Sequence, residues 1–224
     1  MKRNFRVVKP IKYLPKETID TLISLISGPN QLRDKAMFTI SFWRGLRASE
    51  ISLLNFSDYD RKKKRLLVHR LKGSVTDIWY DLQNPEVRSL ELYIKMDRGT
   101  VPGPLFLSKY SYCTTGKFAN IDGNGNIKPK GVKRAYLDQL MKKYAPFAKI
   151  PKDLAHTHTL KHSICVYLLE NDMNLVDVQD WAGHKSIATT QIYAKISDRK
   201  RRGIAETIAR KLEIEEKEKS IKKS

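Results

Sequence analysis

The chain has 224 residues, 41% hydrophobic and 30% charged, enough to bury one sizeable core without disulfide or metal staples. Its 43 Lys and Arg against 24 Asp and Glu leave a formal charge of +19, which an anionic polymer would offset, so nucleic acid is the first candidate partner. No apolar run is long enough to span a bilayer, no signal-type apolar stretch follows the basic Met1-Lys2-Arg3, and Cys113 and Cys165 make no disulfide framework, so a reducing cytoplasmic setting in contact with the chromosome or a plasmid is expected.

The first helix is predicted after Pro15, where apolar residues recur at helical spacing from Glu17 to Ile26 and Gly28-Pro29-Asn30 ends them. A second follows from about Gln31 to Arg44, and a third, short one from Ala48 to Phe56, with Ile51, Leu53 and Leu54 expected inward. Arg65 to Leu71 and Thr76 to Leu82 read as strands of a β-hairpin with Lys72 at its turn. Helix resumes near Glu86 to Met96, Pro104 to Leu107 is extended, and the polar, glycine-bearing stretch 108 to 129 is a loop or small hairpin. A basic amphipathic helix is predicted from Val132 to Tyr144, then helices over His158–Asn171, Leu175–Ala182 and Ser186–Tyr193. Beyond Asp198 the chain is charged, with a thin apolar stripe of Ile204, Ile208, Leu212 and Ile214. The fold class is mainly α with a small antiparallel β-sheet. Residues 1–14 read as a basic arm, 15–197 as one domain and 198–224 as a charged helical tail.

Four segments hold residues suited to chemistry. In Gly45-Leu46-Arg47-Ala48-Ser49-Glu50-Ile51 an arginine at the mouth of a helix has a glutamate one turn on, which holds its side chain in place. Taken alone, an ordinary surface ion pair is the commoner reading. Lys72 at a hairpin turn can deliver a proton or bind a phosphate, though exposed turn lysines are common. His158, Lys161 and His162 fall on one face of a helix. The i, i+4 histidines could begin a zinc site, but no glutamate follows the first and no third ligand stands out, so no metal is expected. Finally, His184 at a turn precedes a helix ending in Tyr193, which by itself would be read as a core aromatic.

In that order and with those spacings, the segments resemble the catalytic domain of the tyrosine recombinase, or phage integrase, family, whose members carry Arg, Lys, H-x-x-R, His or Trp, and Tyr. The resemblance extends from about Lys16 to Ser197. The short format and the run from Arg47-Ala48-Ser49-Glu50-Ile51 to His69-Arg70-Leu71-Lys72 are similar to the small recombinases that invert fimbrial promoter DNA. It implies the recombinase catalytic fold and a site-specific recombination reaction on double-stranded DNA, carried out by a homotetramer assembled on that DNA. Tyr193 would be the nucleophile, forming a 3′-phosphotyrosine and a free 5′-hydroxyl, and His158 its base. Arg47 and Lys161 would supply positive charge to the transition state, His184 a hydrogen bond, and Lys72 the proton for the departing oxygen. Glu50 and His162 would support them. Because the phosphotyrosine retains the bond energy, no cofactor and no metal are implied.

Two departures from the family accompany the resemblance. Lys161 stands where the family has its second arginine and lacks that residue's two-pronged grip on phosphate. A recombinase-derived protein that binds DNA without cleaving it is therefore the alternative reading. The family's N-terminal helical domain, which closes the clamp on DNA, has here only a short segment before Arg47, and Lys2, Arg3, Arg6 and Lys9 are expected to grip backbone phosphates instead. The tail after Asp198 is expected to dock into a neighbouring subunit.

Overall fold

The computed structural model describes residues 11–71, 77–109, 111, 121–126 and 128–193. Two helices have no polar face, and the rest of the domain is arranged around them. α2 (Gln31–Trp43) buries Ala36, Met37, Phe38, Ile40 and Phe42 together with the polar Arg33, Asp34, Thr39 and Ser41. α6 (His158–Glu170) buries Leu160, Ile164, Cys165, Val166, Leu168 and Leu169 together with Thr159, Lys161 and Ser163. A helix enclosed on all sides shows little amphipathic periodicity, so its polar side chains must find partners inside the protein. Ser163 illustrates this: its hydroxyl accepts the Leu14 N–H at 2.8 Å and donates to Thr159 O at 2.8 Å. Leu14 itself is buried in the core, so the end of the expected basic arm packs on the domain.

The remaining helices pack around this pair. α1 (Lys16–Leu25) starts after Pro15 with Glu17 in its first turn, favourable to the helix dipole, and buries Ile19 and Leu22. α3 (Ala48–Leu53) buries Ile51, with Leu54 just beyond it, while Leu53 is exposed, contrary to expectation. Two residues on from Ile51, Leu53 has turned to the far side of the helix. α4 (Asn84–Tyr93) has Pro85 in its first turn and Glu86 accepting the Gln83 N–H at 3.0 Å. It continues as a π-helical turn, Ile94–Arg98, from which Arg98 donates to the carbonyls of Gly99, Val101, Gly103, Pro104 and Leu105 and so ties down the following loop. α5 (Arg134–Tyr144), α7 (Leu175–Trp181) and α8 (Ile187–Gln191) complete the set.

The sheet is antiparallel with order β1 (Tyr59–Asp60), β2 (Arg65–Val68) and β3 (Ile78–Asp81). The expected hairpin is present, with Arg65 opposite Asp81 and Val68 opposite Ile78. β1 was not anticipated. Asp60 makes it possible, because its Oδ1 accepts the N–H groups of Lys62 and Lys63 at 3.1 and 3.0 Å and turns the basic run back on itself. Lys72 and the tail after Tyr193 lie outside the described residues.

Candidate active site

The turn between α2 and α3 carries the first functional side chain. Gly45 has φ +55°, a conformation suited to glycine, and a Cβ there would approach Ile164 Cγ2 of α6 to 3.3 Å. Arg47 then caps α3, its N–H donating to Glu50 Oε2 at 2.8 Å and its Nη1 to Glu50 Oε1 at 2.9 Å. The expected Arg47–Glu50 contact is thus present, and Glu50 also serves as the helix cap. Burial alone would raise the Glu50 carboxyl. The charge of Arg70, the Arg47 N–H, and the charges of Lys161 and Arg47 outweigh it and hold the group below the usual carboxylate range.

α6 presents the histidine segment, its start fixed by Asp138, which accepts from the Thr157 N–H at 2.9 Å and hydroxyl at 2.7 Å. The expected common face divides in two. His158 and His162, 40° apart around the helix, meet ring edge to ring at 4.5 Å. Lys161 points elsewhere and is 2% exposed, with Nζ donating to Gly45 O at 3.1 Å and Ala182 O at 2.7 Å. Burial, then the charges of Arg70 and Arg47, bring its pKa down to about 7.

The last segment follows α7, which Asn174 caps by accepting the N–H groups of Val176 and Asp177. Gly183 (φ +63°) turns the chain, and His184 is locked by its N–H to Gln179 O at 2.9 Å and by Gln179 Nε2 to His184 O at 3.1 Å. His184 Nδ1 lies 3.1 Å from Thr190 Oγ1 of α8. Tyr193 follows α8 and is 1% exposed, its hydroxyl 2.6 Å from His162 Nδ1 and against the Cys165 thiol. Burial, then Cys165, raises its pKa.

All three imidazoles are driven toward the neutral form. Burial is the main cause for each: it lowers His158, together with the Lys161 charge, takes His162 to about 4 together with His158, and takes His184 to about 3 together with Lys161, Arg47 and Arg70. Neutral imidazoles at neutral pH are competent to accept a proton. Among the described residues, no group of three His, Cys, Asp or Glu side chains is arranged to hold a metal ion.

Arg47, Glu50, His158, Lys161, His162, His184 and Tyr193 therefore occupy one region, joined by α6. Four participants escaped the sequence reading: Arg70, Tyr80, Cys165 and Thr190. Cys165 and Thr190 had weak signals available, since Cys165 lies one turn after Lys161 and His162 on the same helix and Thr190 lies three residues before Tyr193. Arg70 looks like any residue of a basic strand.

Comparison with known proteins shows the family and the fold. The Phage integrase family profile matches residues 12–200, and the chain belongs to that family, the tyrosine recombinases. It is 32% identical over 184 residues to tyrosine recombinase XerD of Staphylococcus epidermidis, covering 80% of this chain and 57% of that protein. It is 29% identical over 187 residues to tyrosine recombinase XerA of Pyrococcus horikoshii, covering 83% and 59%. The chain thus spans under two thirds of the length of these curated relatives. Among solved structures, XerA recombinase matches with TM-score 0.67 and 22% identity over 92% of this chain and 66% of that one. The Tn1549 transposon integrase in complex with transposon right end DNA matches with TM-score 0.63 and 21% identity, over 90% and 67%. The fold is that of the tyrosine recombinase catalytic domain, helix-rich with a small antiparallel sheet. Among the described residues no helix is long and apolar enough to cross a membrane.

Proposed function

We propose that the protein cuts and rejoins double-stranded DNA at specific sites, with Tyr193 attacking a phosphodiester to give a 3′-phosphotyrosine and a free 5′-hydroxyl. The observation that carries this reading is the Tyr193 hydroxyl seated 2.6 Å from His162 Nδ1, on the helix whose Lys161 joins the Arg47 turn to the His184 turn. A phenol is a weak nucleophile at neutral pH and needs a base. Resemblance assigns that role to His158. The geometry puts His162 next to the hydroxyl and His158 behind it, so the proton's path runs through this pair. Arg47 and Lys161 supply charge to the phosphorane-like transition state. His184 Nδ1 lies 3.1 Å from Thr190 Oγ1, and in the tautomer whose Nδ1 accepts from that hydroxyl the ring offers Nε2–H to a phosphate oxygen. Lys72 protonates the leaving 5′-oxygen, and Glu50 holds Arg47.

At 1% exposure Tyr193 cannot meet a phosphate from this seat, so DNA binding must draw it outward. The protein works in the cytoplasm, associated with the nucleoid, without a cofactor or metal, as a homotetramer formed on DNA through the segment after Asp198. The second reading, a DNA-binding regulator without cleavage, is favoured by the engagement of Lys161 Nζ with two backbone carbonyls. A nicked suicide substrate separates the two. Covalent adduct from the wild-type protein and none from Tyr193→Phe, with equal DNA affinity, is the expected result. A wild-type protein that binds the substrate without an adduct would establish the regulator.

A further inference from the structure

Arg70 lies two residues beyond β2, and its side chain is 0% exposed. Nη1 donates to Glu50 Oε2 at 3.0 Å, and Nη2 faces Arg44 O at 3.1 Å, Trp181 O at 3.3 Å and the Tyr80 hydroxyl. Tyr80 in turn donates to Trp181 O at 3.0 Å. The guanidinium leaves no room on the His184 turn: a Cβ at Gly183 would lie 2.8 Å from Arg70 Nε and 3.2 Å from Cζ. Lys161 makes the adjoining pair of contacts, to Gly45 O and Ala182 O. Two buried cations thus hold two consecutive carbonyls from each of two turns, 44 and 45 from one, 181 and 182 from the other. Arg47 lies two residues beyond the first pair, and His184 two residues beyond the second.

We infer that Arg70 is a positioning residue for strand cleavage: alongside Lys161 it clamps the two turns together, fixing the spacing between the Arg47 and His184 side chains before DNA arrives. This rests on the reading of those two residues as phosphate donors. The task suits arginine, because a planar fork reaches a carboxylate on one side and carbonyls on the other, whereas an ammonium offers a single point. Spacing matters because a phosphate donor acts only if it is aimed at the oxygen where charge develops, and a displacement of about 1 Å can cost on the order of 100-fold in rate.

The test separates positioning from folding and from binding. Arg70→Lys keeps the charge and is expected to lower single-turnover cleavage of a suicide substrate, at saturating protein, by about 100-fold. DNA affinity should change less than about threefold, since no DNA contact is removed. Tyr80→Phe removes one hydroxyl from the same clamp and should lower the rate in the same direction by about 3–10-fold, the worth of one hydrogen bond. Hydrogen exchange supplies a readout independent of chemistry: in either variant the amides of residues 45–47 and 183–185 should exchange faster than in the wild type. Wild-type cleavage by Arg70→Lys, or equal proportional losses of rate and affinity, would overturn the inference. Should Arg70→Lys not fold, Tyr80→Phe decides by the same criteria. If the wild-type protein itself makes no adduct, the recombinase reading fails, and unchanged exchange at the two turns would then refute the clamp as well.

Discussion

Two buried arginines, each paired with a buried glutamate, serve different ends in this protein. Arg44 and Glu86 form a closed pair: Nε donates to Oε1 at 2.6 Å, Nη2 to Oε2, and both side chains are at most 1% exposed. The pair joins the end of α2 to the start of α4, with the guanidinium 4.7 Å from the centroid of the Trp181 ring. Arg70 and Glu50 are as deeply buried, yet their pair is open. Glu50 also serves Arg47, and Arg70 sends Nη2 to the backbone of two turns. The same chemistry yields a fastener in one place and an alignment device in the other, so substitutions at the two should separate stability from reactivity.

The largest effect is expected at the closed pair. Glu86→Ala strands a buried guanidinium and should cost about 3–5 kcal/mol of stability, read from denaturant unfolding. The fraction that remains folded should lose less cleavage rate than Arg70→Lys does, because Glu86 itself bonds to neither turn carbonyl and acts there only through Arg44. A smaller effect on stability, with a larger one on reactivity, is expected at Lys161. Lys161→Ala should slow cleavage by up to roughly 100 to 1,000-fold, whereas Lys161→Arg, which keeps the charge and adds the two-pronged donor, should preserve or raise the rate.

The pH response sharpens the contrast further. With a folded pKa of about 7 against an ordinary 10.5, Lys161 loses its charge as pH rises through 7, and cleavage should fall with it. Stability should move the opposite way. The unfolded chain binds the extra proton between those values, so the contribution of Lys161 to stability rises with pH across that interval. A wild-type rate that falls through pH 7 to 8, beside a level Lys161→Arg profile and a growing stability difference from Lys161→Met, is the expected pattern.

The smallest effect belongs to the turn end of the hairpin, where His69 Nδ1 lies 3.0 Å from Asp77 Oδ2 and Nε2 3.5 Å from Asp58 Oδ1. The hydrogen bond to Asp77, against some burial, raises the His69 pKa above 6.5. The stabilisation is therefore full below pH 6.5 and lost as pH climbs past the raised value. His69→Gln should lower the melting temperature slightly at pH 6 and leave it unchanged at pH 9.

Much of this could be read from the residues themselves. The helical spacing around Ile19 and Leu22 predicted α1, and the i, i+3 relation of Arg47 and Glu50 predicted a contact that the fold realises. What escaped depended on three-dimensional meetings without a sequence pattern. Arg70 is remote in sequence from Trp181, and only the packing of the sheet against the end of α7 brings them together. Lys161 shares a turn of helix with His158 and His162, but burial of most of α6 gives its two flanks different partners. β1 is two residues long, too short for alternation to show.

The most direct test of the account is to digest the trapped protein–DNA adduct with trypsin and identify by mass spectrometry the side chain that carries the nucleotide. Cleavage after Lys185 and Lys195 releases Ser186–Lys195, in which Tyr193 is the single tyrosine. The nucleotide is expected on Tyr193, through its phenolic oxygen. A nucleotide on Tyr167 or Tyr144 instead would contradict it, because neither hydroxyl occupies the seat beside His162.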